Sequence, residues 1–200
     1  MKKNILLFLL LLYVTEGSAQ NPFTYQPIKY TTDPKTVGQI NKYRFIDSGV
    51  LKNAMSIHVI WDNQTMFNQS VDCYTYAVLI NDTIFIVGYM QGVLGWGFQA
   101  TIFNDSCIIT SFAQSDGDSY KYQASDKQAV SRVSLASSTQ ILKLVQHPRF
   151  EHGERVSGFV QLESKPFYYY TNKLNRKATI KLKAYFKTGP LRREPAAKDK

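Results

Sequence analysis

Apolar and polar residues alternate with a period of two along much of this 200-residue chain. That spacing turns one face of a β-strand to a core and the other to water. Residues 179–187 set Ile180, Leu182, Ala184 and Phe186 against Thr179, Lys181, Lys183, Tyr185 and Lys187. Residues 155–162 set Val156, Gly158, Val160 and Leu162 against Ser157, Phe159 and Gln161. Upstream lie four β-branched and aromatic runs, at residues 74–80, 83–90, 98–103 and 106–112. Asn81-Asp82 joins the first pair, and Asn104-Asp105, 23 residues later, joins the second. Asn and Asp tolerate positive φ and bond their own backbone, so each dipeptide predicts a two-residue hairpin turn. Four such strands in a row predict an antiparallel meander. Between the hairpins, the glycine-rich residues 91–97 predict a loop or a bulged strand crossing.

Residues 56–61 add a further short strand, and 141–145 suit either strand or helix. Helical signals concentrate in residues 33–49, where Asp33-Pro34 resembles an N-cap with Pro at the first helical position and Gly49 a C-cap. Val37, Ile40, Tyr43 and Ile46 follow helical spacing loosely, which predicts one helix there. Roughly seven to nine strands with at most one or two short helices define an all-β protein. An antiparallel β-sandwich is expected, with an open β-barrel as the alternative. The mixture of tight hairpins with long connections, such as residues 116–132, favours two sheets.

The chain opens with Lys2 and Lys3, an apolar run over residues 5–14, and Gly17 and Ala19 at the −3 and −1 positions of a cleavage site. Ten apolar residues at about 1.5 Å each cover only half of a ~30 Å hydrocarbon core, so a secretory signal peptide over residues 1–19 is expected rather than a membrane span. No cysteine follows at the cleavage point to carry a lipid. The expected organisation is therefore a signal peptide (1–19), a single β-rich domain (20–188) and a disordered basic tail (189–200) of a secreted or periplasmic protein. No later apolar run reaches 18 residues, so no transmembrane segment is expected after cleavage.

A composition of 44% hydrophobic and 14% aromatic residues excludes a disordered chain. Charge is distributed unevenly. Residues 53–120 contain no Lys or Arg and six Asp, whereas residues 164–193 contain no Asp or Glu and sum to +9. Either acidic and basic strands lie side by side and attract each other, or the basic region presents a field to a charged partner. Cys73 and Cys107 form an even pair, which in an oxidising compartment suggests a disulfide. The meander argues the other way, because it puts them at opposite ends of strands one and four, farther apart than the ~7 Å between Cα atoms that a disulfide allows.

Catalytic signatures are sparse. His147, Glu151, His152 and Glu154 cluster in His-Pro-Arg-Phe-Glu-His-Gly-Glu. They offer a candidate hydrolase or zinc site, but Pro148 and Gly153 prevent a helix from aligning the two imidazoles. Asp116-Gly117-Asp118 resembles the start of a calcium loop, yet Lys127 occupies the twelfth position where a bidentate Glu is required. Nucleophile motifs of the Gly-x-Ser-x-Gly, Ser-x-x-Lys and His-Glu-x-x-His types are absent. No cofactor or metal is expected. Binding chemistry is better represented. Lys181, Lys183, Tyr185 and Lys187 share one strand face, Tyr168, Tyr169 and Tyr170 follow Lys165-Pro166, and Trp96 sits among glycines. Tyr and Trp join an apolar ring to a polar handle. These eight residues form the candidate binding set, for an acidic protein surface or an anionic polysaccharide; nucleic acid is not expected. The lysines also admit a protective reading, as guards on a sheet edge.

Overall fold

Two-residue turns set the strand order. The computed structural model describes residues 22–91 and 95–194. Along it run β1 (Ile28–Lys29), β2 (Thr31–Thr32), α1 (Thr36–Ile40), β3 (Phe45–Asp47), β4 (Val50–Trp61), β5 (Gln64–Ile80), β6 (Thr83–Tyr89) and β7 (Gly95–Phe103). There follow β8 (Ser106–Gln114), β9 (Tyr120–Lys121), β10 (Arg132–Leu144), β11 (Ser157–Ser164), β12 (Phe167–Thr171), β13 (Leu174–Lys187) and β14 (Arg192–Arg193). Asn81 and Asp82 turn at φ 45° and 57°, Asp62 and Asn63 at 45° and 66°, and Asn172 and Lys173 at 50° and 63°. Asn104 turns the fourth hairpin at φ 49°. Both predicted Asn-Asp turns are thus present.

Strands β4, β5, β6, β7, β8, β10, β11 and β13 are neighbours in that order, and β13 returns to pair with β4. Seven register positions close the circle, from Ala178↔Trp61 to Ala184↔Met55. The protein is all-β, its eight barrel strands antiparallel, with one short helix among its described residues, as expected. The sheet does not split into a sandwich, however. It closes into an eight-stranded up-and-down barrel, which leaves those eight strands without a free edge along the closed seam. The long 115–131 connection, taken as a sign of two sheets, returns beside its own start, with Arg132 opposite Gln114.

Chain ends fill two seams in the wall. A bulge between Ser137 and Thr139 lets β10 diverge from β8. β1 then pairs with β8 at Ile28↔Cys107, and β2 runs parallel to β10 at Lys143↔Thr31. On another flank β14 runs parallel to β5, with Arg192 opposite Val78. This corrects the expected disorder of the tail for residues 189–194. Leu191 is fully buried, donates its N–H to the Glu154 carbonyl and accepts the Gly153 N–H, so one apolar side chain anchors the segment. Residues 195–200, like the expected signal peptide, lie outside the described residues. The helix is also shorter than expected. Val37 and Ile46 are exposed, so the loose apolar spacing has no continuous face to bury, and residues 45–47 instead pair with β4.

The barrel interior is filled by side chains. Met55, Ile57, Leu79, Ile84, Ile86, Phe98, Ile102, Ile180 and Phe186 are all 0% exposed, which leaves no room for a water molecule against them. Phe98 lies across the barrel toward Phe186, ring centroids 5.8 Å apart, over a floor made by Gly88. Cys73 and Cys107 are both buried and free. Following the ladder from Tyr74 through Tyr89 and Gly97 leads to Phe112, five residues from Cys107. At ~3.3 Å per residue that is about 17 Å along the strand, so the meander separates the thiols as expected.

Candidate binding surface

The alternation in β13 resolves into an inner and an outer row. Ile180, Leu182, Ala184 and Phe186 are at most 1% exposed, while Lys181 and Lys183 are exposed and Tyr185 and Lys187 half-buried on the outer wall. β13 is hydrogen-bonded to β11 on one side and β4 on the other. Lys181 and Lys183 therefore do not guard a sheet edge, and the protective reading does not apply to them, whereas Lys187 lies beyond the last β4 pair at Ala184.

Aromatic rings separate the cations. Tyr185 lies between Phe159 of β11, at 4.9 Å, and Tyr43 of the α1–β3 connection, at 5.4 Å. Burial and the neighbouring Tyr185 push the Tyr43 phenol above its ordinary pKa, so it stays neutral at physiological pH. The Lys187 ammonium sits 5.3 Å above the Phe45 ring, within cation–π range. Lys181 reaches Glu163 at 3.5 Å, a half-exposed pair of small energetic weight. Lys183 sits in register with Gln161 and Ser56, both neutral. The wall thus sets two successive lysines beside an aromatic cluster around Tyr185 and Lys187, and among its described neighbours only Glu163 offsets the charge.

The acids of the sequence lie elsewhere. Asp62, Asp82 and Asp105 occupy hairpin tips, and Asp116 and Asp118 an exposed loop. Asp62 accepts the Lys177 backbone N–H at 3.0 Å, and Asp82 meets Arg193 at 4.0 Å, with both side chains largely exposed. Among the described residues, the contact between these acids and the basic stretch that comes within 4.0 Å side chain to side chain is Asp82–Arg193. The β13 wall keeps most of its positive field.

The remaining candidate residues gather at one end of the barrel. Tyr169 turns inward and stacks on Trp61 at 4.3 Å and 20°, with Tyr120 edge-on at 5.6 Å. Trp96 also points inward, 5% exposed and 4.8 Å from Phe67. Its position among glycines suggested exposure, but alternation within β7 takes the indole into the core. Tyr168 and Tyr170 face outward, and the Tyr170 ring is covered by the Lys121 ammonium at 4.3 Å. Trp96 and Tyr169 thus close the barrel end, and the outer tyrosines are not continuous with the β13 row. Tyr43 and Phe45, by contrast, join the wall from a segment read as helix. Their only signal in the sequence is an aromatic pair next to Arg44.

The histidine-rich segment lies at the opposite end. His147 Nδ1 lies 3.2 Å from the Tyr30 hydroxyl. Glu154 is buried, and both its carboxylate oxygens accept the Arg149 backbone N–H at 2.9–3.0 Å. His152 is exposed. No group of three metal-capable side chains occurs among the described residues. These contacts fasten a turn. No protein-family model matches the sequence, and no match was found among curated proteins or solved structures.

Proposed function

We propose that this chain is an exported, non-catalytic binding module, and that the outer wall of β13 takes an anionic polysaccharide. The supporting observation is the run Lys181, Lys183, Tyr185, Lys187 on the outer face of β13, flanked by Tyr43, Phe45 and Phe159. Lysines supply attraction to carboxylate or sulfate groups, and aromatic rings supply faces on which sugar rings rest. Export follows from the expected signal peptide at residues 1–19. A filled interior argues against carriage of a ligand inside the barrel, which moves binding to the outside surface.

Retention on an anionic polysaccharide resin tests this reading. Attraction between exposed charges is screened over ~8 Å at physiological salt, so elution should occur at moderate salt. The Lys181→Glu, Lys183→Glu, Lys187→Glu variant should elute at clearly lower salt, with its melting temperature little changed. Elution of the variant at the same salt as wild type would remove the wall from the function.

A further inference from the structure

A second cationic feature lies on a different wall and has a different character. Arg132 opens β10 on its outer face, opposite Gln114 of β8. Its guanidinium carbon sits 4.5 Å above the Phe112 ring, and Nη1 donates to Gln114 Oε1 at 3.4 Å. Nε is buried with no acceptor. Among the described residues no carboxylate lies within 4.0 Å of this guanidinium. The site therefore holds a partly desolvated positive charge among neutral groups. Burial drives the guanidinium pKa down to about 10, while the Tyr76 and Tyr122 phenols nearby work in the opposite direction.

Its surroundings are shaped as well as charged. Tyr74, Tyr76 and Tyr89 form a ring cluster on β5 and β6, with centroids 5.7 and 6.4 Å apart. Between Tyr89 and Phe112 the wall has only Gly97, where an added Cβ would lie 2.7 Å from the Phe112 ring and closer still to the Gly88 carbonyl. The result is a cation seated over the Phe112 ring, with a cluster of mutually tilted tyrosine rings across Gly97. Guanidinium carries five N–H donors in a planar fork, of which one is used here. A carboxylate matches that fork with two parallel hydrogen bonds, more closely than it matches a lysine.

We propose that Arg132, with Gln114 beside it, forms a carboxylate-binding subsite on the β8–β10 outer wall, independent of the β13 lysines. Two sources present such a group: a uronic-acid sugar and a peptide C terminus. Glucuronate and N-acetyl-glycyl-glycine serve as probes, with glucose and N-acetyl-glycyl-glycine amide as neutral controls at matched ionic strength.

NMR titration of the Arg132 Nε–Hε resonance in the full chain should show a saturable shift with one or both acids and none with the controls. The acid that binds identifies the source. Arg132→Lys keeps the charge and loses the fork, and should weaken binding by about tenfold or more. Gln114→Ala removes the side chain that holds Nη1, and should weaken binding severalfold even if Arg132 variants fold poorly. Absence of a saturable shift with either acid, or an affinity unchanged from wild type in Arg132→Lys and in Gln114→Ala, overturns the proposal. Arg132 would then be held by Phe112 and Gln114 alone.

Discussion

Replacing Gly88 by alanine should fail for a reason that a second substitution removes. An added Cβ at Gly88 falls 2.1 Å from Cε1 and 2.4 Å from Cζ of Phe98, so the ring must leave its seat. That ring is 0% exposed and packs toward Phe186 at 5.8 Å, with no adjacent void to enter. Overpacking of this kind costs ~1–3 kcal/mol or more. Phe98→Ala empties the seat and should cost ~3–5 kcal/mol. In the double variant the new methyl occupies space that the ring has vacated, so the clash disappears and part of the cavity is refilled. The combined loss should fall short of the sum by ~1–3 kcal/mol, the range of coupling between touching residues. Urea unfolding followed by far-UV circular dichroism on all four proteins measures this, given a total stability on the order of 5–15 kcal/mol. Additive losses would show that Phe98 does not rest on Gly88, and that β6 and β7 carry a different inward register.

Alkaline pH gives a test of thiol burial. Desolvation pushes Cys73 and Cys107 up to about 12 from an unfolded value near 9. A raised acid contributes stability that is complete below pH 9 and lost as pH rises toward 12, by about 4 kcal/mol for each thiol. Tyr76 and Tyr120, both pushed up to about 12 by burial, act in the same direction above pH 10. Cys73→Ala should therefore flatten the fall in melting temperature between pH 9 and 11, and an unchanged slope would contradict burial of that thiol. Alkylation without reductant should add two labels per unfolded chain and label the native protein only slowly. Gly49→Ala should be strongly destabilising, because Gly49 holds φ +103° and its Cβ would meet the Thr75 carbonyl oxygen at 2.1 Å; a melting temperature within a few degrees of wild type would exclude that close approach.

Local chemistry was legible in the sequence where it is self-contained. Asn81-Asp82 and Asn104-Asp105 specify their turns from two residues, and the period-two rows of β11 and β13 place Val160, Leu162, Ile180 and Phe186 inside. Closure was not legible. Pairing of Lys181 with His58 joins positions 123 residues apart, and no short-range pattern encodes it. The lysines were consequently open to reading as edge guards, and the long 115–131 connection as a passage between sheets. Trp96 was misjudged because its glycine neighbours suggest a loop, whereas Gly97 is required by the Phe112 ring and Gly88 carbonyl beside it. In the tail, a single leucine among charged residues carries no periodicity, yet Leu191 finds a buried site beside Glu154. Arg132 gave no signal, since its meaning lies in the carboxylate partner it lacks.

The claim that binding occurs on the outside of a filled barrel is tested most directly by mapping contacts residue by residue. An amide NMR titration of the protein with a defined anionic oligosaccharide does this in one experiment. Saturable shifts should centre on Lys181, Lys183, Tyr185 and Lys187, extend to Tyr43 and Phe159, and diminish as salt rises. Shifts confined to Trp61, Trp96 and Tyr169 would instead place the ligand at the barrel end and contradict the account.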